Sequence, residues 1–143
     1  MQRLCIQAGK PLGKRQRQLI LAAHQAGWLN AIIELKNDKT DRPKESRLMR
    51  HTANNTPAPF VELDAGEYLL NILIEAGPIK SGPMGGFQSL DWVDIAAYAS
   101  LTMDTIEPWE ASLIKKMSDA FVTGMNEGTS PFSIPPDKRK KIK

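Results

Sequence analysis

Three features of this 143-residue sequence predict an all-α fold. Apolar residues recur at three- and four-residue spacing in several breaker-free segments. Glycine and proline collect between those segments rather than inside them. No stretch alternates apolar and polar residues convincingly, so no strand is expected. The expected architecture is a small bundle of three to four helices. It carries a basic N-terminal helix, a Gly/Pro-rich inter-helix loop and a disordered basic C-terminal tail.

The first helix is expected between Leu12 and Lys36. Leu19, Ala22, Ala23 and Ala26 share one face, and Trp28, Leu29, Ile32 and Ile33 extend it. Gly27 lies inside this span, where glycine costs about 1 kcal/mol, so two helices meeting there is an open alternative. A short helix is expected around Lys44 to His51, anchored only by Leu48 and Met49. The next helix is expected over Ala65 to Ala76, with Asp64 and Glu67 at capping-box spacing and Gly77-Pro78 as its stop. Gly77 to Ser89 holds four glycines and two prolines in 13 residues and is expected to be a loop. A helix over Leu90 to Leu101 follows, capped by Ser89 or Asp91. The last helix begins at Glu107-Pro108, because proline is favoured at the first helical position, and runs to about Gly124.

Charge divides the chain. Residues 1–58 carry 11 basic and 4 acidic side chains, a net +7. Residues 59–129 carry 3 and 11, a net −8, and residues 130–143 carry 5 and 1, a net +4. Three units are expected on this basis: a basic helix and polar linker over 1–58, a helical core domain over 59–129, and a flexible basic tail over 130–143. With a foldable part that small, some apolar surface is expected to face a partner.

Composition also restricts the chemistry. One cysteine excludes a disulfide framework and a cysteine-built zinc site, and two histidines leave little for a soft metal site. No apolar run approaches the ~18 residues that span a bilayer, and no signal-peptide layout opens the sequence. A soluble protein of a reducing cytoplasm is expected, with no membrane partner and no cofactor. Gly77 to Gly82 has the glycine spacing of a phosphate loop, but Pro83 and Met84 stand where Lys and Ser or Thr are needed. Asp91, Asp94, Glu107 and Glu110 fall in first helical turns, where they complement the helix dipole. His24 and His51 pair with no nucleophile in a recognisable motif, so no enzyme activity is expected. Lys10, Lys14, Arg15 and Arg17, with Lys138, Arg139, Lys140 and Lys141, are candidate contacts to nucleic acid or an acidic partner, and would bind in a salt-dependent way.

From about Glu62 to Glu127 the order of motifs resembles the tail assembly chaperones of long-tailed bacteriophages. Those motifs are Tyr68-Leu69-Leu70, the loop Ser81-Gly-Pro-Met-Gly-Gly86, Leu90-Asp-Trp-Val-Asp-Ile95, Ile106-Glu-Pro-Trp-Glu110 and Met117-Ser-Asp-Ala-Phe121. The resemblance covers roughly half of the chain. It implies a non-enzymatic role in the host cytoplasm, in which the protein holds tape-measure or tail-tube protein during tail morphogenesis. Residues 1–60 have no counterpart in it, which leaves two alternatives: a structural virion component of the tail or connector, or a nucleic-acid-binding accessory protein that uses the basic arms. A groove built by Trp92, Ile95, Trp109, Leu113 and Phe121 is the expected seat for a partner helix.

Overall fold

The computed structural model describes residues 13–35 and 44–139. The chain is all-α. Its elements are α1 (Lys14–Asn30), α2 (Arg47–Ala53), α3 (Glu67–Ala76), a two-stranded hairpin of β1 (Lys80–Ser81) and β2 (Phe87–Gln88), α4 (Trp92–Thr102) and α5 (Pro108–Glu127). A single 3-10 turn, Pro136–Lys138, follows.

α1 and α5 run side by side as the central pair. Their contact is built on small residues spaced by four: Ala23, Gly27 and Ala31 on one chain segment, Gly124 and Gly128 on the other. A Cβ placed on Gly27 would collide with the Phe121 carbonyl, and one on Gly124 with the His24 carbonyl. The two backbones therefore touch, and glycine is required at both positions. This explains why α1 passes through Gly27 without a break: the conformational cost of glycine is offset by close helix packing. α1 then ends at Asn30 rather than near Lys36. Ala31 turns to an extended conformation, Ile32 bridges to Ser46, and the Ile33 N–H donates to the Glu45 carbonyl at 3.2 Å.

The main core joins Leu19 and Ala23 of α1 to Leu69 and Leu73 of α3, Leu90 and Ile95, and Leu113, Ile114 and Met117 of α5. A smaller cluster of Ala26, Ala31, Phe121 and Met125 lies further along the same pair. The division at 58/59 thus follows charge and not packing, because α1 supplies one side of both clusters. α3 begins later than expected. Its N-cap is Gly66 at φ 84°, a left-handed conformation, and the Asp64 side chain makes no cap. The Asp64 N–H is instead held by Gln18 Oε1 at 3.3 Å.

The expected disordered tail is corrected for residues 130–139, which lie against α1; residues 140–143 fall outside the described residues. The Trp28 indole N–H donates to Ser133 Oγ at 2.9 Å. The Arg47 guanidinium lies 3.9 Å over the Trp28 ring and donates to the carbonyls of Gly128 and Ser130 at 2.6 and 2.7 Å. Gln25 is fully buried. Its Nε2 donates to the Pro59 carbonyl at 2.9 Å and its Oε1 accepts from the Asp137 N–H at 3.4 Å, so one side chain holds both crossing segments. Glu127 is paired with His24 at 3.1 Å and with Arg139. Burial raises the Glu127 pKa, but the hydrogen bonds from Arg139 and His24 outweigh it and hold the carboxyl below its ordinary value. The polar composition of the tail signalled disorder, whereas side chains of α1 and α2 supply the partners that its backbone needs.

Candidate interaction surfaces

The expected five-residue groove is not formed. Ile95, Leu113 and Phe121 are buried, at 5%, 1% and 4% exposure, and the last belongs to the smaller cluster. Trp109 is half-buried against the main core. Only Trp92 presents itself to solvent, at 54% exposure. Its ring lies 5.8 Å from Lys115 Nζ, which also reaches the Leu90 carbonyl at 3.4 Å. The spacing of these residues was read correctly as helical, but apolar spacing does not say which face another helix already covers.

The basic candidates divide as well. Lys14, Arg15 and Arg17 are exposed on the first turn of α1. Lys138 is exposed, whereas Arg139 is occupied by Glu127 and the Ile134 carbonyl. The Pro136–Lys138 turn meets α1 near Gln25, about 12–17 Å along the helix axis from Arg17 and Lys14. Lys10, Lys140 and Lys141 lie outside the described residues.

The acidic pairs are helix caps. In α4 the Asp91 side chain caps the first turn and the Asp91 N–H donates to Asp94 Oδ2 at 2.7 Å. Lys80 Nζ joins both carboxylates, at 2.8 and 2.9 Å, and thereby ties β1 to the start of α4. The hydrogen bond from Lys80 is the main reason that the Asp94 pKa is lowered. In α5, Glu107 and Glu110 form the same arrangement, with the Glu107 N–H donating to Glu110 Oε1 at 3.0 Å. Glu110 Oε2 accepts from the Tyr68 hydroxyl at 2.5 Å. Burial, followed by this bond, pushes the Tyr68 phenol up to about 12. Tyr98 donates to Glu75 at 2.8 Å and is likewise pushed up to about 12 by that bond. Among the described residues no three His, Cys, Asp or Glu side chains converge to hold a metal ion.

Several residues of the motif order are thus explained by folding. Ser118 Oγ accepts from the Leu90 N–H at 2.8 Å and donates to the Pro78 carbonyl at 2.7 Å, locking both ends of the Gly/Pro loop onto α5. What packing does not explain is the apolar surface at the hairpin and α4. Met84, Phe87, Trp92, Val93, Leu101 and Met103 are all exposed, and α4 buries only Ile95. The hairpin contributes Met84 at its turn and Phe87 on β2, close in sequence to Trp92, and Lys80 of β1 ties the hairpin to Asp91 and Asp94 at the start of α4. Sequence reasoning missed this corner because the loop showed no strand periodicity. It also missed Gln25 and Arg47, whose roles depend on segments far away in the chain.

Among the described residues no helix is long and apolar enough to cross a membrane. No family model, no curated protein and no solved structure matches the chain.

Proposed function

We propose that the protein is a non-enzymatic tail morphogenesis protein of a long-tailed bacteriophage, a tail assembly chaperone that holds tape-measure or tail-tube protein in the host cytoplasm. The reading rests on the motif order from Glu62 to Glu127. One structural observation supports it most: Trp92, in the centre of that order, stands exposed instead of filling the core, as do Met84 and Phe87 of the preceding hairpin. Exposed aromatic and methionine side chains suit an apolar helical partner, since both types contribute large contact area and methionine adapts its shape.

The test is co-expression with the tape-measure and tail-tube proteins of the same phage, followed by pull-down. A stoichiometric complex is expected, and Trp92→Ala is expected to weaken capture at least tenfold while leaving the melting temperature within a few degrees. Failure to capture either protein would end the chaperone reading. Retention of the chain in purified virions would instead make it a structural component of the particle.

A further inference from the structure

α4 differs from every other described helix in its solvent face. The exposed residues of α1 include Lys14, Arg15 and Arg17; those of α2 include Arg50; those of α3 include Glu67 and Glu75; those of α5 include Lys116 and Asp119. The exposed face of α4 carries no charge. At 3.6 residues per turn, Val93, Ala96, Ala97, Ser100 and Leu101 fall within an arc of about 140°, directly opposite the buried Ile95. Its one acid, Asp94, lies outside that arc and is held by Lys80. An amphipathic surface helix places polar residues opposite its core stripe. This helix has the reverse side ready for burial.

We infer that this face pairs with the same face of a second copy of the chain, antiparallel about a two-fold axis near Ala97. Three observations favour a second copy over a different partner. A two-fold contact sets each residue near the axis against its own kind, so any charge there would repel itself, and the arc has none. The small residues Ala96, Ala97 and Ser100 occupy the middle, with Val93 and Leu101 at the ends. Antiparallel pairing then sets Ala97 against Ala97 and Val93 against Leu101, with axes about 8 Å apart and opposed helix dipoles. Val93 is 77% and Leu101 85% exposed, and Met103, just beyond the helix, is 89% exposed. Together with Ala96, Ala97 and Ser100 they offer roughly 500–600 Å² per copy, enough for a dimer at the lower bound of specific interfaces. The inference is independent of the tail-partner reading, because Trp92 falls outside the arc on the helix.

Sedimentation equilibrium of the full chain from 1 to 200 µM tests it, alongside oxidation of Ala97→Cys in a Cys5→Ser background. A reversible dimer is expected, with rapid self-cross-linking through position 97. Val93→Glu and Leu101→Lys are each expected to raise the dissociation constant at least tenfold. The two changes combined in one chain are expected to recover most of that loss, because each acid then faces a base of the other copy. Thermal melts accompany every variant, and the position-97 cross-link reads the geometry without altering charge. A monomer at 200 µM, or a dimer indifferent to all three positions, overturns the inference. A monomer that still captures a tail protein would overturn the dimer alone.

Discussion

α1–α5 and α4 look alike in sequence, each apolar on a helical period, and they end in opposite situations. The α1–α5 pair is closed so tightly that backbone meets backbone at Gly27 and Gly124, and a methyl group does not fit. α4 touches the core through Ile95 alone and turns Val93, Leu101 and half of Trp92 to solvent. The contrast teaches that apolar periodicity marks a face that wants a partner, while residue size decides which partner it has inside the chain. Glycine and alanine at four-residue spacing admit a neighbouring helix, and the charge-free face of α4 is left to be covered from outside.

Breaking the closed region should produce the largest effect. Gly27→Ala drives a methyl into the Phe121 carbonyl, and a cost of about 3 kcal/mol is expected, read as a fall of roughly 10 °C in melting temperature. Ile95→Ala removes the only buried side chain of α4. A cost of about 2–4 kcal/mol is expected, and hydrogen exchange should show it concentrated in α4 while the centre of α5 stays protected. Ser118→Ala leaves the buried Leu90 N–H without its partner, at an expected cost of about 1–3 kcal/mol by denaturant melts, and loosens the loop rather than the helices.

The smallest effect is spectroscopic. The chain has two tyrosines, and both phenols are pushed up to about 12. A raised phenol favours the folded state while it stays neutral. That contribution is present below the unfolded value near 10 and is lost as pH rises toward 12. Absorbance titration should therefore show no tyrosinate step at pH 10 in the folded protein, and a full step there in denaturant. Tyr68 tied to α5 and Tyr98 tied to α3 report the closed and open regions separately if each is changed to Phe.

Much of the fold was legible, for identifiable reasons. Asp91 and Pro108 announce the starts of α4 and α5 by local chemistry, and those helices begin within two residues of the expected positions. The end of α1 carries no glycine or proline, since its stop is a long-range bridge from Ile32 to Ser46, and so it was placed too late. The hairpin has only two residues per strand, too few to show a period. The segment 130–139 looked unstructured because its partners, Trp28 and Arg47, lie 105 and 83 residues away in sequence. For the site, Trp92 and Phe121 were indistinguishable as apolar residues on a period. Only the fold separates the exposed one from the buried one.

Hydrogen exchange of the full chain, alone and in complex with the tape-measure or tail-tube protein, tests the division most directly. In the free chain the amides of α5 from Ile114 to Met125 are expected to exchange at the slowest rate and those of α4 much faster. Protection gained on complex formation is expected over the hairpin and α4. Equal protection of α4 and α5 in the free chain, or gains confined to 14–30 and 130–139, would contradict the hairpin and the exposed Trp92 end of α4 as the place where a tail protein is held.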